Sequence, residues 1–260
     1  MLSPVIMIGC GGSGQKAVRY IRDAVRRRLV HAGWEGEFPR SWQFIGLDTL
    51  ESQESPGEIP TMPASDYKSV SLKFPTYSAL EGTVLSNHRV GSAGYKELIG
   101  WRPVPQEVIV PLQKGAAQLR AVGRMAGLLS LNDVVKTQLL HAFTECITGG
   151  PELQRVSERL GVATITGAVT PKPLVIVLGS MAGGTGAGIM LDVIDLVRRT
   201  SEDGAFPIGV VFSADIFGNK QTDMMAANGL AFMSELMSSY WDNEPSGLAL
   251  IPSIVPIDQR

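Results

Sequence analysis

The chain has 260 residues, 44% hydrophobic and 18% charged, enough to bury one sizeable core and to predict a single domain with embellishments. A net charge of −2 and a pI near 6.0 offer no electrostatic attraction to nucleic acid or an anionic membrane, and no apolar run approaches the roughly 18 to 20 residues of a membrane span. Cys10 and Cys146 provide neither a metal cluster nor a disulfide framework and point to a reducing cytoplasm, and Val5 to Ile8 is too short for the apolar region of a signal peptide.

Val5-Ile6-Met7-Ile8 anchors a predicted strand from Pro4 to Gly9. It empties into Gly9-Cys10-Gly11-Gly12-Ser13-Gly14, and a helical run follows from Gln15 to about Val30. Gly9-x-Gly11-x-x-Gly14 fits the dinucleotide fingerprint, a short pattern that also recurs by chance. A Walker A loop is disfavoured: Gln15 separates Gly14 from Lys16, and Ala17 stands where the magnesium-holding Ser or Thr belongs. Arg26-Arg27-Arg28 near the helix end is read as pairing with its C-terminal dipole rather than as a binding patch. The next strand, Trp42 to Leu47, brings Asp48 to the carboxyl end of the sheet, where open α/β sheets bind ligands. Asp48 is a candidate for a ribose hydroxyl or for magnesium held through water, with a plain N-cap as the alternative.

Between Glu51 and Pro111 the composition shifts to Pro, Ser and Gly, and the chain reads as an irregular insertion of the functional or partly mobile kind. A helix is predicted from Ala116 to Cys146, breaking near Ser130-Leu131-Asn132-Asp133, with Ser130 or Asn132 as the cap of a new helix. Lys114, Arg120 and Arg124 fall at roughly helical spacing and are read as a solvated face rather than a phosphate clamp.

Leu174 to Gly188 is the most informative stretch. Five apolar residues, three of them β-branched, form a strand within Pro173 to Gly179 that suits a parallel sheet covered on both faces. The strand empties into Ser180-Met181-Ala182-Gly183-Gly184-Thr185-Gly186 before a helix to about Arg199. Glycines there let backbone N–H groups converge on an anion, Thr185 adds a hydroxyl donor, and the helix dipole favours negative charge. A polyphosphate is the natural guest. Asp192 and Asp195 share a face of that helix and are read as a solvated pair. A strand from Pro207 to Ser213, a helix from Thr222 to Trp241 and a weaker strand from Leu248 to Ile254 complete the pattern, with Met224, Met225, Met233 and Met237 assigned to core packing. The alternation predicts a mostly parallel sheet with helices on both faces. His31, His88 and His141 show no metal spacing, and chain order suggests no Ser/His/Asp set.

Ser180 to Gly188 resembles the tubulin/FtsZ signature G-G-G-T-G-[ST]-G, with Ala182 in place of the first glycine and Ala187 in place of the Ser or Thr. Gly9 to Val18 is similar to the first nucleotide loop of FtsZ, G-V-G-G-G-G-G-N-A-V. Phe44 to Thr49 resembles the second strand and its loop, and Ile208 to Phe212 the strand leading to the ribose-contacting loop. The chain looks like a divergent bacterial tubulin-like protein rather than a cell-division FtsZ or a eukaryotic tubulin. The resemblance implies a Rossmann-like, three-layer α/β domain over residues 1–260 that binds GTP or GDP, with Mg2+ as a companion ion. The implied binding residues are Gly9, Cys10, Gly11, Gly12, Ser13, Gly14 and Gln15 on the first turn, Asp48, and Ala182, Gly183, Gly184, Thr185 and Gly186 on the second. Asp215 and Asn219 stand in for the glutamate of the FtsZ ribose loop, F-x-F-E-G. Arg89 to Lys96 is set against the loop that closes over the terminal phosphate, with an ordinary turn as the equal alternative.

Family members continue into a central helix that stacks on the base and a loop whose acid activates water on the next subunit of a filament. Nothing up to Arg260 resembles that N-x-D-x-x-D loop. The resemblance therefore implies a truncated nucleotide domain or a member that binds without completing hydrolysis, and head-to-tail self-association of a longer protein. Two rivals stand beside it: an NAD(P)-dependent Rossmann oxidoreductase with Asp48 on the ribose, and a tubulin-like scaffold with an empty or blocked pocket.

Overall fold

Four apolar runs and the three-residue segment Tyr67–Ser69 assemble into one all-parallel sheet in the computed structural model, which describes residues 2–54, 57, 59–89, 102–108, 111–162, 172–201, 206–220 and 222–241. The strands are β1 (Val5–Cys10), β2 (Trp42–Asp48), β3 (Tyr67–Ser69), β4 (Leu174–Ser180) and β5 (Ile208–Phe212), in the order β3-β2-β1-β4-β5. Val5 is in register with both Trp42 and Leu174, so β1, β2 and β4 reach the carboxyl edge together, with Cys10 beside Leu47 and Gly179. The chain moves outward from β1 in one direction through β2 and in the other through β4. The gap between β1 and β4 is thus the switch point at which open α/β sheets bind ligands.

Strand alternation divides the core. Ile6, Ile8, Ile45, Leu47, Val175 and Val177 join the larger cluster, while Phe44 and Leu178 pack with Val18 on the opposite face. Helix α1 (Gly11–His31) covers that second face through Val18 and Ile21. The larger cluster is closed by α2 (Tyr77–Arg89), α3 (Arg120–Ser130), α4 (Thr137–Thr148) and α6 (Thr185–Thr200), with Phe232 of α7 (Asp223–Trp241). Helix α5 (Gly150–Arg159) follows α4, with Pro151 in its first turn and Leu153 and Val156 buried. Among the described residues no helix is long and apolar enough to cross a membrane.

The four principal strands lie where the sequence pattern puts them; Leu248 to Ile254 lies outside the described residues. The stretch read as irregular contains β3 and α2. Three residues are too few to show a period, and β3 exists because Gly46 and Asp48 of β2 pair with Tyr67 and Ser69. The expected break after Ser130 is a π-helical turn, Leu131–Lys136, and not a newly capped helix. The Ser130 hydroxyl is drawn away from capping because it donates to the Val70 carbonyl, at 2.7 Å.

Three sequence assignments of polar and apolar faces are corrected. Arg124 and Asp192 are 4% and 2% exposed, and the guanidinium Nε lies 3.3 Å from the carboxylate. Arg124 also reaches Glu235 of α7 at 3.0 Å, and Arg120 grips Glu235 at 2.8 and 2.6 Å. These residues are an internal strap across α3, α6 and α7, not a solvated face. Asp195 is likewise buried and pairs with Arg199 at 2.8 Å. On α7, Met224, Met233 and Met237 are exposed, because the helix turns Asn228 and Phe232 inward instead.

Burial pushes the Asp192 carboxyl up to about 6, against the opposing pull of Arg124. The folded-state value exceeds the ordinary 3.8, so the proton is held more tightly in the native state. The resulting stability is fully present below the unfolded value and is lost as pH rises through the folded one. Wild type should therefore lose more stability than Asp192→Asn between about pH 4.5 and about pH 7, read as urea midpoints. Identical pH dependence in the two proteins would contradict this account.

Candidate functional site

The glycine-rich turn after β1 and the one after β4 border a single cavity of about 390 Å3 at the switch point. Cys10, Gly11, Gly12 and Ser13 line one side, and Ser180 with Ala182 to Gly186 lines the other. The turns touch: Gly11 has φ +69°, and a Cβ there would stand 2.5 Å from the Gly186 nitrogen. Each turn opens a helix, and the first N–H groups of a helix have no partner within it. Neither α1 nor α6 has a side-chain cap hydrogen bond or an acidic residue in its first turn. Two positive helix ends thus converge on one space, an arrangement suited to an anion.

Behind the turns lies a polar floor. Asp48 is 3% exposed; one carboxylate oxygen accepts from the Thr49 amide at 2.7 Å and the other from Gln15 Nε2 at 2.8 Å. The Thr49 hydroxyl lies 2.8 Å from the Thr185 hydroxyl and accepts from the Ala116 amide at 2.8 Å. Burial raises the Asp48 carboxyl above its usual range, hydrogen bonds from Thr49, Thr185 and Gln15 oppose that rise, and Glu54 adds to it. Burial, then Asp48, push the Cys10 thiol far above the thiolate range, so it offers no nucleophile.

Asp48 and Glu54 form the acidic side of the cavity and Lys114 its described cation. Among the described residues no three His, Cys, Asp or Glu groups converge as a metal cage. Asp48 and Glu54 nevertheless approach the same point: a Cβ on Gly12 would lie 3.8 Å from Glu54 Oε1 and 4.0 Å from Asp48 Oδ2. Two carboxylates beside a phosphate-sized space fit Mg2+, which characteristically takes one or two carboxylates, waters and phosphate oxygens.

The model family described as Tubulin like matches residues 6–249. The chain belongs to the tubulin-like family. No curated protein sequence matches it. Among solved structures it is similar to CetZ from Methanosaeta thermophila strain DSM 6194, at 13% identity and a TM-score of 0.49, covering 92% of this chain and 43% of that one. The chain therefore spans less than half the length of that structure.

In this tubulin-like chain the residues singled out from sequence separate into three groups. Cys10, Gly11, Gly12, Ser13, Asp48, Ala182, Gly183, Gly184, Thr185 and Gly186 line the cavity. Gly9, Gly14 and Gln15 stand behind it: a Cβ on Gly9 would meet the Gly14 carbonyl at 2.5 Å, and one on Gly14 would meet the Leu178 carbonyl oxygen. Asp215 is the clear displacement. It is exposed on the 3-10 turn Ala214–Lys220 and accepts from the Ser213 hydroxyl at 2.8 Å, and that turn sends Phe217 to the cavity instead. Asn219 lies on the same turn. Of Arg89 to Lys96, all but Arg89, at the end of α2, lie outside the described residues.

Sequence reasoning missed Leu50, Glu54, Gly115 to Gln118, Phe217 and Met225 in the lining, and Thr49 in the floor. Gly115, with φ +101°, and Ala117, with φ +47°, form a tight turn over the cavity. The Gly184 amide donates to the Ala117 carbonyl at 2.9 Å. The two departures from the signature are packed: Ala182 is fully buried and its amide donates to the Ser180 hydroxyl, while the Ala187 carbonyl accepts from Arg120 Nε.

Proposed function

We propose that this chain is a nucleotide domain that binds GTP or GDP, with the phosphates held by backbone amides of Gly11 to Gly14 and of Gly183 to Gly186. The observation that carries the reading is the convergence of two helix N-termini, neither with a side-chain cap, on one cavity at the sheet's switch point. Lys114 adds one positive charge. Asp48 and Glu54 would hold Mg2+, which when bound neutralises phosphate charge beside those carboxylates. Leu50, Phe217 and Met225 offer an apolar surface to the nucleoside end. The choice of guanine rests on membership of the tubulin-like family, as do head-to-tail self-association of a longer protein and a cytoplasmic setting.

A dinucleotide oxidoreductase needs one glycine turn and leaves the second unexplained, so it is not favoured. The scaffold reading has one observation on its side, the Ala117 carbonyl on the Gly184 amide. A thermal-shift series with GTP, GDP, ATP and NAD in the presence of Mg2+ separates these readings. A ligand at about 100 times its Kd adds about 2.7 kcal/mol to the native state, so GTP and GDP should raise Tm clearly and NAD should not. A shift with NAD alone would refute the guanine-nucleotide reading, as would no shift with any of the four both in this chain and in a variant whose Ala117 contact is loosened.

A further inference from the structure

The segment Gly115 to Leu119 occupies a place that the proposed ligand needs. Its Ala117 carbonyl accepts the Gly184 N–H at 2.9 Å, and a Cβ on Gly184 would stand 2.8 Å from both the Ala116 and Ala117 oxygens. The contact is held at a cost to the backbone. Ala117, at φ +47°, is the positive-φ residue other than glycine among the described residues, and a Cβ is disfavoured in that region. Strain of this kind persists only where the surroundings impose it.

The imposing groups are identifiable. Ala116 donates its amide to the Thr49 hydroxyl at 2.8 Å. Asn228, buried on α7, donates its side-chain amide to the Gln118 carbonyl at 2.7 Å and to the Ala182 carbonyl at 3.0 Å, thereby clamping the segment against the β4 turn. Thr222, just before α7, donates to Gln118 Oε1 at 2.7 Å. We propose that this segment is a built-in competitor for the phosphate: the Ala117 carbonyl caps the Gly184 amide, Asn228 holds the cap in place, and binding exchanges that carbonyl for a phosphate oxygen.

The inference rests on the phosphate-binding reading and goes beyond it, because it makes affinity depend on residues that oppose the ligand. Asn228 is then a positioning residue whose loss helps binding, the reverse of what loss of a supporting wall does. Ala117→Gly relieves the strain of the capped form without adding any group, and so stabilises that form against the ligand-bound one.

Calorimetric titration with Mg2+ and GTP of wild type, Ala117→Gly and Asn228→Ala, each confirmed folded by circular dichroism, tests the exchange. Ala117→Gly should weaken binding about fivefold and Asn228→Ala should tighten it about threefold or more. Binding by Asn228→Ala alone would also support the competitor. Any other pattern with a binding wild type overturns it and leaves the nucleotide reading standing: the segment is then a fixed wall. No binding by wild type or either variant overturns both.

Discussion

Arg124→Ala is expected to destabilise the fold by about 3 to 5 kcal/mol, the usual cost of stripping one partner from a buried ion pair. Arg124 lies 4% exposed between Asp192, itself 2% exposed, and Glu235 of α7. Without the guanidinium, Asp192 must either stay charged away from water or take up a proton. Glu235 keeps Arg120, so the damage should centre on the contact between α3 and α6. A double variant, Arg124→Met with Asp192→Leu, should regain most of the loss, because apolar side chains need no compensating charge. Equilibrium urea unfolding measures both. A loss below about 1 kcal/mol for Arg124→Ala would show that the pair is effectively solvated.

Gly14→Ala and Gly183→Ala should separate two uses of glycine within one cavity. At Gly14 a Cβ would run into the Leu178 carbonyl oxygen, an atom of the β4 backbone with no freedom to move aside. Relief requires α1 to lift off β4, and a cost of about 3 kcal/mol or more is expected, at the upper end for overpacking. At Gly183 a Cβ meets nothing within 4 Å. That variant should keep its Tm while GTP affinity drops about tenfold or more, the equivalent of one lost charge-assisted hydrogen bond. Parallel melting curves and calorimetric titrations read the two effects. A stable Gly14→Ala protein would contradict the close approach of α1 and β4, and unchanged affinity in Gly183→Ala would place the phosphate elsewhere.

The contrast between these glycines also separates what is legible in the amino-acid sequence from what is not. An apolar run emptying into glycines and then a helical period is a local signal, and both turns, their strands and their helices follow from it. Which glycine faces the cavity is not local: Gly9 and Gly14 serve the packing of α1 on the sheet, while Gly12 and Gly183 line the cavity. Burial of charge escapes for a related reason. Arg124, Asp192 and Asp195 sit at spacings that equally describe a solvated face, and only the docking of α3, α6 and α7 encloses them. The contact of Thr49 with Thr185 carries no local signal, because the two lie 136 residues apart and meet only across the sheet edge. At the ribose loop, the search for an acid selects Asp215, whereas the turn's geometry presents Phe217.

The central claim is that one polyphosphate rests on both glycine turns, and a structure of the chain with Mg2+ and a non-hydrolysable GTP analogue tests it most directly. The account predicts phosphate oxygens within hydrogen-bonding distance, about 3 Å, of backbone nitrogens from the Gly11 to Gly14 turn and from the Gly183 to Gly186 turn in the same cavity. Phosphates contacting only one of these turns, or an analogue seated outside that cavity, would contradict it.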